Sequence, residues 1–270
     1  MQIPTDAPVP KYHRKTLRKK ARDHILAEPH AKVVLFSTCY CNYNRPDIGE
    51  DLIKVFEHNN IEVTTPKDQT CCGMPKLELG DFEAINKNKE KHIALLLPYV
   101  EKGYDIVAPI PSCVLMFKQE LPLMFPDDES IRKIRNAFYD PFEYLIKQHK
   151  EGKLNTNFKN TLGDISYHVA CHLEVQNIGP KTQQILKLIP DTKISAISRC
   201  SGHDGTYAVK KEFRQNSLKI GRPVFKHIEK NSADYYTSDC PMAAEQIASM
   251  VSRKEKPLHP LALLRKAYGI

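Results

Sequence analysis

No stretch of the 270-residue sequence is apolar for long enough to cross a bilayer. The longest, Ile93 to Val100, is interrupted by Pro98, and a spanning helix needs about 20 such residues. The N-terminus is polar and basic and lacks the apolar core of a secretion signal, so the expected compartment is the cytoplasm. No aromatic or motif pattern accompanies the basic residues, which argues against nucleic-acid binding. An acid–base constellation is also missing. With 41% hydrophobic and 27% charged residues, the composition is that of a soluble globular protein of one large or two ordinary domains. Eight cysteines in a reducing compartment read as ligands or redox groups before they read as disulfides.

The net charge of +8 is concentrated in one segment, where Lys11, Arg14, Lys15, Arg18, Lys19, Lys20 and Arg22 crowd together. Residues 1–31 read as a basic arm with a short helix from Thr16 to Leu26. A solvated arm is the simplest reading; docking to an acidic partner or to the anionic inner face of a membrane is the functional one. Beyond it, Lys32–Thr38 reads as a buried strand ending at Cys39. A helix from Ile48 to Asn59, a strand from Ile61 to Thr65, a helix from Phe82 to Glu101 and a strand from Tyr104 to Ile110 follow. The last strand leads to Cys113. This alternation predicts an α/β fold with a parallel sheet flanked by helices.

A charged stretch from 147 to 163 reads as a connector between a first repeat, 32–146, and a second, 164–270. In the second repeat a strand over Asp164–Val169 ends at Cys171, and a helix follows through Leu188. Strand Lys193–Ile197 then leads to Cys200-Ser201-Gly202. A helix over Val209–Lys230 and a strand over Asp234–Ser238 lead to Cys240. Cys39 matches Cys171, Cys71 matches Cys200, Cys72 matches Ser201, and Cys113 matches Cys240. The spacings agree: 32 residues against 29 for the first interval, and 42 against 40 for the second. Duplication is the simplest account.

Each of these cysteines stands just past the carboxyl end of an expected parallel strand, where the loops of open α/β sheets converge on ligands. Site one offers Cys39, Cys71, Cys72 and Cys113, with Cys41 as a further sulfur read as a bystander. Four thiolates suit an iron–sulfur cluster or a tetrahedral zinc. The plain alternative is that the cysteines pack as small hydrophobes, which an adjacent pair followed by Gly73 at a loop corner serves poorly. Site two offers Cys171, Cys200 and Cys240. Ser201 replaces the second cysteine of the pair, and His172, His203 and Asp204 stand close enough in sequence to supply a ligand. An imidazole can replace a thiolate on iron; otherwise these histidines are supporting hydrogen-bond donors.

The order Cys39, Cys71-Cys72-Gly73, Cys113, repeated in degenerate form, resembles the cysteine-rich (CCG) domain family. That family includes the B subunit of heterodisulfide reductase, the iron–sulfur subunit of glycolate oxidase, lactate-utilisation proteins and the C subunit of anaerobic glycerol-3-phosphate dehydrogenase. The phrases Tyr167–Leu173, Cys200–Thr206 and His259-Pro260-Leu261 are most similar to the heterodisulfide reductase-related branch that contains this last protein, and the resemblance spans about residues 33–270. It implies two pseudo-repeated CCG domains, each able to carry a cluster. In some members this is a non-cubane 4Fe–4S centre held by five cysteines. Here Met116 and Ala243 stand where the family's closing Cys-x-x-Cys places its last cysteine, so a five-cysteine set at site one would need Cys41. The Cys-x-x-Cys-x-x-Cys run of larger members does not occur in this sequence; if that part is lost or separately encoded, electrons would come from another subunit.

The expectation is therefore a redox subunit of an oxidoreductase complex, with no catalytic residue of its own. It would carry a 4Fe–4S cluster at site one, and an iron–sulfur cluster, zinc or nothing at site two. Its partners would be a flavin-dependent dehydrogenase subunit and an electron-carrier protein or quinone. The alternatives are a zinc-binding structural or assembly module and a thiol–disulfide or heterodisulfide reductase. The latter is disfavoured by the strained ring of a vicinal disulfide.

Overall fold

In a computed structural model, which describes residues 2–21 and 25–270, the chain forms two compact units. The first contains Tyr12–Asn155 and Val175–Lys181. The second contains the N-terminal residues up to Lys11, Thr156–Glu174 and Thr182–Ile270.

Helix α1 (Leu17–Lys20) opens the first unit. It is shorter than the expected Thr16–Leu26 because Ala21 turns extended; residues 22–24, Arg22 among them, lie outside the described residues. The segment is not a free arm. Leu17 is fully buried, in contact with the backbone at Gly49, where an added Cβ would come within 2.1 Å of it. Burying a leucine is worth about 1.5–3 kcal/mol, enough to fix a segment that charge alone would leave in solvent.

Strand β1 (Ala31–Leu35) follows, then α2 (Cys39–Tyr43), α3 (Pro46–His58) and β2 (Ile61–Thr64). Helix α3 starts with Pro46 and Asp47 in its first turn and buries Ile48, Leu52, Val55 and Phe56 on one face. After the short α4 (Met74–Leu77), α5 (Phe82–Glu101) is capped by Asp81, which accepts from Ala84 N at 3.1 Å. Strand β3 (Asp105–Val107) leads into α6 (Pro111–Leu115), a π turn at Met116–Glu120 and α7 (Leu121–Met124). Helix α8 (Glu129–Ala137), the two-residue β4 (Phe138–Tyr139) and α9 (Pro141–Lys150) complete this part. An Asp140/Glu143 capping box starts α9, and the helix runs into the stretch that charge marks as a connector.

The sheet order is β2-β1-β3-β4, and every pairing is parallel. Val33, Val34, Leu35 and Phe36 are fully buried, as expected of a parallel strand covered on both faces. Phe36 packs edge-on against Phe117 (5.1 Å between ring centres), which stacks on Phe138 at 4.4 Å.

The second unit repeats the plan with β5 (Gly163–His168), α10 (Cys171–Glu174), α11 (Lys181–Leu186), β6 (Thr192–Ile197), α12 (Lys211–Lys230), β7 (Tyr235–Ser238), α13 (Pro241–Ala248) and α14 (Pro260–Tyr268). Its order, β6-β5-β7, is again all parallel. The helix expected after Ile178 begins only at Lys181, because Asn177 and Gly179 both adopt positive φ. Val224, Phe225, Ile228 and Tyr236 form the core between α12 and the sheet, together with Ile247 and Val251. In each unit the first strand lies between the second and third, so consecutive connections leave it in opposite directions. The crevice beyond its carboxyl end is therefore the place for a ligand.

Candidate functional site

Site one is built around that crevice in the first unit. Thr38 takes φ 56° and ψ 162°, a costly geometry for a β-branched residue. It turns the chain from β1 into α2, with Cys39 as the first helical residue, and its Oγ1 accepts from Cys41 N at 3.1 Å. Gln69 is buried and ties the loop after β2 to the end of β1. Its Nε2 donates to Leu35 O and Pro66 O, both at 2.9 Å. Its Oε1 accepts from Ser37 N (2.7 Å) and Ser37 Oγ (2.9 Å). Arg18 Nη1 donates to Lys67 O and Gln69 O at 2.6 and 2.8 Å from the other side. The pair Cys71-Cys72 follows directly. Gly73, with φ 102°, makes the corner; a Cβ there would lie 3.3 Å from Met116 Cε. From α5, His92 Nε2 (3.0 Å) and Asn88 Nδ2 (3.3 Å) both reach Cys71 O. The short helix after β3 adds Cys113.

These elements bring Cys39, Cys71, Cys72 and Cys113 together as a chain of thiol contacts: Cys39 with Cys71, Cys71 with Cys72, and Cys72 with Cys113. Cys71 is held well below the usual thiol range, first by hydrogen bonds from Cys39 and Cys72, with the Gly73 N–H and His92 adding to them. Cys39, which keeps an exposed edge, and the buried Cys72 are both raised, first because their hydrogens are committed to these bonds and then by desolvation. The four sulfurs thus form one connected row. Cys41 is fully buried, and burial pushes its thiol up.

Site two is more open: Cys171 and Cys200 are exposed and Cys240 is half-buried. Gly202 N donates to Cys200 Sγ at 3.3 Å, and Ala243 N to Cys240 Sγ at 3.4 Å. Burial pushes Cys240 up to about 11 against that hydrogen bond, and the charge of Cys171 adds to the rise. Ser201 is buried, and its Oγ accepts from His203 N at 3.4 Å. His203 Nε2 is enclosed without a partner, and burial lowers its pKa to about 4. His172 is half-buried in α10 and Asp204 is exposed. Asp239, beside Cys240, is enclosed and accepts from Tyr167 Oη and from Thr182 Oγ1 (2.8 Å for Thr182). Its pKa is raised to about 6 by burial, against those two bonds.

The sequence model of the cysteine-rich domain, CCG, matches residues 33–118 and 165–247, so both units carry it over more than half the chain. The chain belongs to the CCG family. Among curated relatives, the C subunit of anaerobic glycerol-3-phosphate dehydrogenase from Escherichia coli (strain K12) is 30% identical over 263 residues, 96% of this chain. This chain spans only 65% of that relative's length. Lactate utilization protein A from Oceanobacillus iheyensis is 27% identical over 212 residues, covering 76% of this chain and 83% of the relative. Its counterpart from Halalkalibacterium halodurans is 27% identical over 242 residues, covering 86% and 94% respectively.

The donor chemistry at site one fits the cluster that the CCG resemblance implies. Four sulfurs from four loop positions meet, and Thr70 Oγ1 and His92 Nδ1 are enclosed beside them without partners. Among the described residues, no three His, Cys, Asp or Glu side chains close around a single ion position. Four thiolates are a donor set that an iron–sulfur cluster and a tetrahedral zinc both accept. Sequence reasoning missed Gln69, His92 and Asn88, whose partners are backbone groups and leave no spacing signature. Asp239 was missed too, although it adjoins a CCG cysteine.

Proposed function

We propose that this chain is the iron–sulfur electron-carrying subunit of a flavin-linked dehydrogenase complex, with Cys39, Cys71, Cys72 and Cys113 holding a 4Fe–4S cluster. The row of four thiols drawn from well-separated loops carries this reading. When bound, such a cluster supplies one-electron transfer. The protein's part is to bring the sulfurs together, to surrender their protons when metal binds, and to point the Gly73 N–H at Cys71. A relative named as a subunit of glycerol-3-phosphate dehydrogenase supports a dehydrogenase subunit as one partner; an electron-carrier protein or quinone would be the other. The exposed Arg14, Lys15 and Lys19 beside the anchored Leu17 suit peripheral contact with an anionic membrane surface. None of the described helices is long and apolar enough to cross a membrane.

Cys171, Cys200 and Cys240 would form a secondary position, with His203 or His172 as the fourth donor to iron or zinc. Protein purified without oxygen should be brown and bleach when dithionite is added. Colourless protein without sulfide would overturn the reading. The low pKa of Cys71 favours one second reading, thiol–disulfide exchange through that sulfur. Unchanged reductase turnover in Cys71→Ser would exclude it.

A further inference from the structure

Resting on the reading of site one as a cluster site, we propose that Asn88 and His92 of α5 are positioning residues that clamp the Cys71 carbonyl. A carbonyl oxygen only accepts, so His92 Nε2 carries the hydrogen, and Asn88 Nδ2 donates to the same oxygen. The two residues are four apart and so lie one above the other on a single helix face. His92 is almost fully buried, with its ring edge-on to Phe36 (5.4 Å) and Phe117 (5.2 Å). The aromatic pair fixes the imidazole, and the imidazole fixes the peptide carrying the vicinal sulfurs. Cys71 thereby gains an anchor from α5 in addition to those that Gln69 and Arg18 give the preceding loop.

The second unit repeats the device with different atoms. Ser217, fully buried in α12, donates through Oγ to Gly202 O at 2.6 Å and is itself held by Gln246 Nε2 at 3.0 Å. In both halves, then, the 20-residue helix downstream of the corner grips a carbonyl of the corner segment.

The test compares His92→Phe, which keeps the ring and loses the donor, with His92→Gln, which keeps a donor and loses the ring. Asn88→Leu, at a half-buried position, serves as a milder second variant. Amide hydrogen exchange over residues 70–74 is read in cluster-free protein, alongside the electron paramagnetic resonance spectrum and midpoint potential of the reconstituted protein. The clamp predicts exchange about five- to tenfold faster in His92→Phe, from the loss of one buried hydrogen bond. It also predicts a smaller rise in Asn88→Leu, a shifted spectrum and potential in His92→Phe, and near wild-type values in His92→Gln. Unchanged exchange in both His92→Phe and Asn88→Leu overturns the clamp. Because exchange is read without metal, a wild-type protein that binds no cluster would refute the cluster reading while leaving this test intact.

Discussion

Gln69 satisfies four backbone or hydroxyl groups with one amide, and all its partners lie where β1 and the loop after β2 must stay in register. Gln69→Leu leaves several buried donors and acceptors unpaired, each worth about 1–3 kcal/mol. The variant should lose roughly 3 kcal/mol of stability in urea titration and bind iron poorly. An unchanged midpoint would remove Gln69 from the account. Cys41 offers a second discrimination. Its thiol is sealed inside the first unit, so Cys41→Ser should lower the melting temperature by exchanging a buried apolar thiol for a more polar hydroxyl while leaving iron content intact. Loss of iron in that variant would make Cys41 a ligand. The cysteines themselves were legible from spacing. Gln69 and His92 were not, because a side chain that serves backbone carbonyls follows no motif.

Among elements, the corner at Gly202 is set by its closeness to α12. A Cβ at Gly202 would stand 2.0 Å from Ser217 O, and one at Gly221 would stand 2.3 Å from Ser201 O. Backbone cannot yield as a side-chain tip does, so Gly202→Ala should cost about 3 kcal/mol. Gly152→Ala, also at positive φ but with open space around it, should cost only about 1–2 kcal/mol. Equal losses in thermal melts would mean that the approach of α12 is not what demands glycine.

Helix α8 gives a pH-dependent case. Asp128 caps it through Ser130 N and Ile131 N and pairs with the buried Lys89 of α5 at 2.9 Å. Burial alone would raise this carboxyl, but the Lys89 ammonium and the cap hydrogens outweigh it and hold the pKa below the usual carboxylate value. A depressed folded-state pKa contributes stability above the unfolded carboxylate range, and this is lost as pH falls through the folded value. Denaturation midpoints measured from pH 5 downward should therefore fall more steeply in wild type than in Asp128→Asn. The main strands and α3, α5 and α12 were legible from apolar runs and periodicity. Strand β4 has two residues and gives no periodic signal, whereas the box that starts α9 could have been read from Asp140 and Glu143.

At the scale of the molecule, the two units share strand order and cysteine placement but differ in enclosure. Site one buries Cys72 and Cys113 and exposes only Cys39, whereas site two exposes both Cys171 and Cys200. Metal-free, reduced protein should therefore be alkylated by iodoacetamide at Cys171 and Cys200 well before Cys72 and Cys113, as peptide mass mapping would report. The reverse order would mean that site one opens more readily than site two. The duplication could be read from the intervals between cysteines, and strand order bears it out. The degree of enclosure could not be read, since it depends on packing around Met116, Phe117 and Ile85 that no interval encodes.

If Cys39, Cys71, Cys72 and Cys113 hold one shared inorganic centre, the decisive measurement is iron and acid-labile sulfide per chain in anaerobic wild type and in the four single serine variants at these positions. Each variant should lose the same complement, about four irons and four sulfides, with site two unaffected. Variants that retain the wild-type complement would contradict a shared centre.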